Sequence, residues 1–269
     1  MMKAMRGSHM VTFAPDYPRN DKGWILFPRD LVDRRKLVPP SIQHDVSLHP
    51  AKMSMYLCQE IIKAFTSEGE TILDPFAGVG TTMAAALPLD RKCILLELEP
   101  HYIKLINDIR VYNRWECIVI QGDNRQILPV PCDHIITSPP YGNDLSSIRE
   151  EKGLLKERDY KQQDYVRSGL NIGNLNTFYY QQAMIKTYTR MVEGLKPGGT
   201  ITITHRDRLR GDTRVLYAMN IMKTLADLGC ELISWEKWKV PGSVLAEVNR
   251  KKGVEPIEDE DILTFRKPL

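Results

Sequence analysis

No stretch of this 269-residue chain approaches the roughly 18 consecutive apolar residues that a membrane-spanning helix needs. A secretory leader pattern is lacking too, and Met5-Arg6-Gly7-Ser8-His9-Met10 reads as a vector-derived remnant, so residues 1–10 are set aside. Cysteine is sparse. Cys58, Cys93, Cys117, Cys132 and Cys230 are dispersed without a C-x-x-C pair, which points to neither a zinc site nor a disulfide framework. No metal is expected, and free thiols fit a reducing cytoplasm. Charge of one sign is also lacking. Lys and Arg number 37 against 34 Asp and Glu, and the resulting +3 neither demands nor excludes a nucleic-acid partner. Internal repeats and low-complexity tracts are absent. With 42% hydrophobic and 26% charged residues the chain is neither disordered nor fibrous.

What is present is an alternation of short apolar strands and amphipathic helices. Residues 11–48, rich in proline and charge, read as an irregular N-terminal arm whose basic residues Arg29, Arg34, Arg35 and Lys36 lie at the surface. From residue 49 the pattern changes. Met53, Leu57, Ile61 and Ile62 recur at helical spacing up to Phe65. Strands are predicted at Thr71-Ile72-Leu73, Cys93–Leu96, Cys117–Ile120 and His134–Ile136, with helices over Met83–Leu87 and His101–Tyr112 between them. Residues 142–176 carry many charges and few apolar positions, as an inserted functional loop would. A helix from about Phe178 to Leu195 stops at Lys196-Pro197-Gly198-Gly199 and precedes a strand at Thr200–Thr204. A helix near Leu216–Leu228 and strands near Leu232–Trp238 and Ile262–Arg266 end the chain. The fold class is α/β, a doubly wound, seven-stranded, mostly parallel sheet, with one domain over 49–269 behind the arm.

Asp74-Pro75-Phe76-Ala77-Gly78-Val79-Gly80-Thr81-Thr82 joins the first strand to its helix, at the crevice where open α/β sheets bind ligands. A phosphate-binding P-loop needs Lys before the Thr, and Gly80 stands there. A dinucleotide fingerprint wants a third glycine, and Met83 at that place weakens it. The third reading is S-adenosylmethionine (AdoMet), whose cationic end needs close backbone, which Gly78 and Gly80 permit, and a carboxylate, which Asp74 supplies; the bland alternative is a plain tight turn. Glu97, ending the second strand, is placed to accept from both ribose hydroxyls, with Glu99 its nearby competitor. Asp123 and Asn124 follow the third strand where adenine would lie, although an Asp at a turn is also an ordinary cap.

Thr137-Ser138-Pro139-Pro140-Tyr141 directly follows the fourth strand. Two prolines fix the backbone and remove two donors, so carbonyls point outward beside a hydroxyl and an aromatic ring. That trio suits a planar ring carrying an exocyclic amine. Tyr141 would stack the ring, and Ser138 Oγ and the Pro139 carbonyl would accept from the NH₂. Two acceptors draw the amine toward tetrahedral geometry as a methyl group arrives. Read alone, Pro-Pro-Tyr is a rigid strand exit with an exposed tyrosine.

Together these motifs resemble the AdoMet-dependent amino-methyltransferases, which methylate cytosine N4 or adenine N6 in nucleic acid. The resemblance is dense over residues 49–141 and looser beyond. It implies a class I, Rossmann-like fold. Asp74, Pro75, Phe76, Ala77, Gly78, Gly80, Thr81 and Thr82 resemble the family's AdoMet loop, and Glu97 with Leu98 its ribose-binding strand end. Lys52, Met53 and Ser54, within His49–Ser54, resemble the segment that holds the methionine end, and Asp123 and Asn124 the adenine site. Leu195–Gly199 resembles the turn before the fifth strand, and Ile257–Asp261 the C-terminal ending of several members. Ser138, Pro139, Pro140 and Tyr141 are the implied catalytic element. Serine at 138 favours cytosine N4 over adenine N6, where Asp or Asn is usual.

The chain departs from sequence-specific members in showing no sizeable target-recognition domain. Residues 142–176 and the loop His205–Arg214 are the substitutes, with Arg206, Arg208 and Arg210 placed to track phosphates. The function implied is methylation of cytosine N4 in DNA by a cytoplasmic enzyme. RNA base-amine methylation, adenine-N6 methylation of DNA, and a catalytically idle AdoMet- or nucleic-acid-binding module are the alternatives. No membrane partner is expected, and oligomeric state is not legible.

Overall fold

The inner strands of the sheet bury side chains on two faces, and both faces are covered. In the computed structural model, Leu73, Leu96, Ile135, Ile203 and Leu263 enter one core while their neighbours Ile72, Leu95, Ile136 and Ile262 enter cores on the other side. Such two-sided burial is the mark of a parallel sheet wrapped by helices. The structure describes residues 13–48, 52–140, 170–210, 213–241, 250, 253 and 255–269.

The sheet comprises β1 (Thr71–Asp74), β2 (Lys92–Glu97), β3 (Ile118–Gln121), β4 (Cys132–Thr137), β5 (Leu195–His205), β8 (Glu231–Lys239) and β9 (Asp259–Arg266). Their order is β3-β2-β1-β4-β5-β9-β8, with β9 antiparallel to both neighbours. The order in which strands are added across the sheet reverses between β1 and β4, which are parallel and pair in register through Leu73 and Ile135. Loops leaving the carboxyl ends of these two strands therefore diverge around one crevice.

Helix α3 (Met55–Phe65) buries Leu57, Cys58, Ile61 and Ile62 against Ile72, Cys93 and Ile136. Helices α4 (Thr81–Ala86) and α5 (Pro100–Tyr112) cover the same side of β2 through Met83, Leu105, Ile106 and Ile109. The opposite face is covered by α7 (Thr177–Gly194) and α8 (Tyr217–Asp227). A four-residue helix, α6 (Asn124–Ile127), follows β3 and was not anticipated.

Two sequence expectations are corrected. The arm is ordered rather than irregular: α1 (Leu31–Leu37) and α2 (Gln43–Leu48) lie in it. Its Ile25 N donates to Lys237 O at 2.8 Å and its carbonyl accepts from Lys239 N at 2.9 Å, which covers the edge of β8. The stretch 205–214 is not a plain loop. It contains strands β6 (Arg208–Arg210) and β7 (Thr213–Val215), paired antiparallel. Of the inserted segment, residues 142–169 lie outside the described residues, and 170–176 form a short 3₁₀ turn against the body.

Candidate active site

The glycine turn is held open by a network that begins with Asp74. This buried carboxylate accepts from Phe76 N at 3.0 Å, Thr137 Oγ1 at 2.7 Å and Thr82 Oγ1 at 2.5 Å. One side chain thus joins the ends of β1 and β4 to the start of α4. Burial raises its pKa, against the lowering effect of those three bonds. Gly78 lies at φ +52°, where only glycine is at ease, and its N–H donates to Glu97 Oε2 at 2.7 Å. Glu97 Oε1 accepts from Glu99 N at 2.9 Å, and burial pushes the Glu97 carboxyl up to about 7.

These groups surround an open cleft. Of the residues assigned to the cofactor from sequence, Lys52, Met53, Asp74, Pro75, Phe76, Ala77, Gly78, Thr81, Thr82, Glu97, Leu98, Asp123 and Asn124 all line it. Two do not. Gly80 sits behind the wall at φ +80°, and a Cβ there would stand 3.2 Å from Ile106 Cγ1, so its role is to let α4 begin against α5. Ser54 caps α3 by accepting from Leu57 N and faces a neighbouring chamber. Asp123 lines the cleft and also caps α6: its carboxylate is taken by Arg125 N, Nε and Nη2 at 2.7–3.0 Å. Burial raises its pKa, but the Arg125 guanidinium outweighs this and holds the carboxyl below its ordinary range. Asn124 is the better-placed polar group. Its Nδ2 donates to Pro75 O at 2.9 Å, and its buried Oδ1 has no partner.

Ser138, Pro139 and Pro140 form the lip of the same cleft. Ser138 Oγ and the Pro139 carbonyl have no hydrogen-bond partner among the described residues, whereas the Pro140 carbonyl accepts from Tyr180 Oη at 2.9 Å. Tyr180 Oη also stands 3.5 Å from Nε2 of His205, whose pKa burial lowers to about 4, so the ring is neutral near pH 7. Tyr141 lies outside the described residues.

Several site residues were not foreseen. Leu170, Asn171 and Ile172, at the end of the inserted segment, close one side of the cleft. Asn171 Nδ2 donates to the buried Glu99 at 3.0 Å, and Arg125 Nη2 to Leu170 O at 2.8 Å. The only sequence signal there is an apolar Ile172 beside a turn-forming Asn171. Arg34, read as surface, is 7% exposed. Its guanidinium donates to Thr81 Oγ1 at 2.9 Å and Met53 O at 2.9 Å, and pairs with Asp30 at 2.6 Å. It thereby ties the arm to two segments of the cleft wall. Burial, with the Arg34 charge adding to it, pushes the Lys52 ammonium down to about 8.

The cleft fits AdoMet on its own terms. It pairs a carboxylate at a strand end with exposed backbone at a left-handed glycine and an orphaned buried acceptor at Asn124. Among the described residues no group of three His, Cys, Asp or Glu side chains is placed to hold a metal. No helix among them is long and apolar enough to cross a membrane.

Comparison with known proteins agrees. Type II methyltransferase M.BglI of Bacillus subtilis is 49% identical over 59 residues, which are 22% of this chain and 17% of that protein. DNA adenine methyltransferase YhdJ of Escherichia coli (strain K12) is 42% identical over 29% of this chain and 32% of its own. The chain thus matches well under two thirds of the length of these curated relatives. Among solved structures, TrmN from Thermus thermophilus superposes with a TM-score of 0.53 at 15% identity, over 81% of this chain and 50% of that one. TehB from Haemophilus influenzae gives 0.51 at 11% identity, over 84% and 65%. The chain shares with these structures a doubly wound, Rossmann-like α/β fold, and over residues 20–108 it matches the N6_N4_Mtase family, DNA methylase.

Proposed function

We propose that this protein transfers a methyl group from AdoMet to the exocyclic amine of a nucleic-acid base, with cytosine N4 in DNA the favoured acceptor. The observation that carries the reading is the pair of free acceptors, Ser138 Oγ and Pro139 O, at the lip of a cleft that fits AdoMet. When bound, AdoMet supplies an electrophilic methyl group on a sulfonium. Glu97 would accept from the ribose hydroxyls, Asn124 Oδ1 from the adenine amine, and the Gly78 backbone and Lys52–Met53 segment would flank the methionine end.

Ser138 Oγ and Pro139 O accept from the two N–H groups of the target amine and draw its lone pair out of conjugation with the ring. Serine is too weak a base to deprotonate the amine beforehand, so the proton leaves during or after transfer. Positioning then contributes much of the rate. Tyr141 is assigned to stacking the base. Ser138, where Asp or Asn would suit adenine enzymes, supports cytosine. The likeness to YhdJ, whose name specifies adenine, supports N6 as the second reading.

The test supplies isotopically labelled AdoMet with duplex DNA, single-stranded DNA and total RNA in parallel, followed by digestion to nucleosides and mass spectrometry. Label in N4-methyldeoxycytidine is expected. Label in N6-methyldeoxyadenosine replaces cytosine with adenine, label in RNA alone replaces the substrate polymer, and no label on any of them refutes the reading. Tyr141→Ala is expected to lose most turnover while AdoMet affinity stays near wild type.

A further inference from the structure

A second chamber adjoins the cofactor cleft and meets it at Ser138, Lys52 and Met53, which line both. Its volume is about 330 Å³, at the lower end of small-molecule clefts. Its walls come from parts of the chain far apart in sequence: Pro28–Leu31 of the arm, Arg206 beyond β5, and Trp238, Val240, Pro241 and Glu260 at the β8–β9 end.

The charges in this chamber divide into two kinds. The acids are engaged. Asp30 Oδ2 accepts from Arg34 Nη2 at 2.6 Å and Met55 N at 2.8 Å, and Glu260 accepts from Trp238 Nε1 at 2.7 Å. Arg34 is engaged in turn. Arg29 and Arg206 are not: neither guanidinium has a hydrogen-bond or ion-pair partner among the described residues. Two unpaired guanidiniums beside satisfied acids make a site for an anion, and planar forked donors match phosphate oxygens.

We propose that this second chamber receives the acceptor nucleotide, with Arg29 and Arg206 holding its flanking phosphates while its base meets Ser138. The inference rests on the methyltransferase reading and adds to it a built acceptor site in which the N-terminal arm takes part. The arm, ordered along β8 and pinned by Arg34, supplies one phosphate clamp and the segment after β5 supplies the other.

The test measures binding of fluorescein-labelled duplex and single-stranded oligonucleotides by anisotropy between 50 and 200 mM salt, with S-adenosylhomocysteine present. Arg29→Ala and Arg206→Ala are each expected to weaken binding roughly five- to tenfold and to reduce the salt slope by about one, with the double variant losing about two. AdoMet affinity by calorimetry is expected to stay within about twofold of wild type. Arg35→Ala, an exposed arm arginine outside the chamber, is expected to leave the slope unchanged. A double variant with wild-type slope and affinity overturns the inference while leaving the methyltransferase reading intact. An equal loss in Arg35→Ala overturns it too, because general surface charge would then be responsible. Parallel loss of AdoMet affinity overturns it by locating the arginines' effect in the other cleft. Wild-type protein that binds AdoMet but neither binds nor methylates any nucleic acid overturns the underlying reading itself.

Discussion

Glu97→Gln separates the charge of the strand-end carboxylate from its shape. In the native protein both oxygens are used, one by Gly78 N at 2.7 Å and one by Glu99 N at 2.9 Å. A glutamine can accept only one of these, and its NH₂ would face the other donor. Losing the ionised acceptor weakens hydrogen bonds worth about 1.5–3 kcal/mol each, and leaving an N–H unsatisfied costs about 1–3 kcal/mol, part of which the loop recovers by shifting. A net loss of about 2–3 kcal/mol in AdoMet binding, roughly 30- to 150-fold, is expected by calorimetry. The pH dependence carries the sharper signature. Burial places the folded carboxyl at about 7, above its ordinary 4.5, so the folded protein holds the proton more tightly than the unfolded chain. Its contribution to stability is therefore greatest at or below about 4.5 and falls as pH rises to about 7. Cofactor binding has the opposite sign, because ribose hydroxyls need the ionised form: affinity drops up to tenfold per pH unit below about 7. The variant lacks this step, so its profile supplies the baseline for titration of Lys52 and of the ligand's own amino group. Equal affinities, or wild-type and variant profiles that coincide between pH 5.5 and 8.5, would refute the assignment of Glu97.

Three further substitutions probe the scaffold of the site. Tyr180→Phe removes the donor to Pro140 O and is expected to lower kcat about tenfold with AdoMet affinity unchanged, since the hydroxyl positions the Ser-Pro-Pro backbone. An unchanged kcat would show that the loop holds its shape unaided. Arg34→Met leaves Thr81 Oγ1, Met53 O and Asp30 without their guanidinium and is expected to cost about 2–4 kcal/mol in urea unfolding, with weaker AdoMet binding; wild-type stability would mean the arm adds nothing to the wall. Gly80→Ala places a Cβ 3.2 Å from Ile106 Cγ1 at φ +80° and is expected to destabilise by roughly 1–3 kcal/mol, whereas an unaltered denaturation midpoint would refute the strain argument.

The seven strands were legible because each is a short apolar run between turn signals, and because the sheet is buried on both sides. The glycine turn and the Ser-Pro-Pro element were legible for a related reason. They work through backbone conformation, and glycine and proline state backbone conformation directly. Arg34 illustrates the opposite case. On α1 it is 7% exposed while its neighbours Leu31 and Val32 are 45% and 67% exposed, the reverse of what hydrophobic patterning predicts. Its partners Thr81 and Met53 are 47 and 19 residues away, and only the fold brings them near. Asp123 shows a local competition: it lines the cleft, while Arg125 two residues on captures its carboxylate as the ordinary cap reading has it.

The same distinction separates the two chambers around Ser138. The cofactor cleft is built mainly from loops that leave β1, β2, β3 and β4, and that set of strands forms a contiguous block of the sheet. Its residues are accordingly grouped in motifs, and the motifs sit where strands predictably end. The second chamber draws on the arm, on the segment beyond β5 and on the β8–β9 end, which the antiparallel insertion of β9 between β5 and β8 brings round to face Ser138. Nothing in the spacing of Arg29, Arg206 and Glu260 announces that they share a wall. The first cleft is thus written in local backbone signals, and the proposed acceptor chamber in side chains whose neighbours are set by topology. Substitutions at Arg29 or Arg206 should accordingly weaken nucleic-acid binding and its salt dependence, with the Gly78–Glu97 geometry on the far side of Ser138 left as it stands.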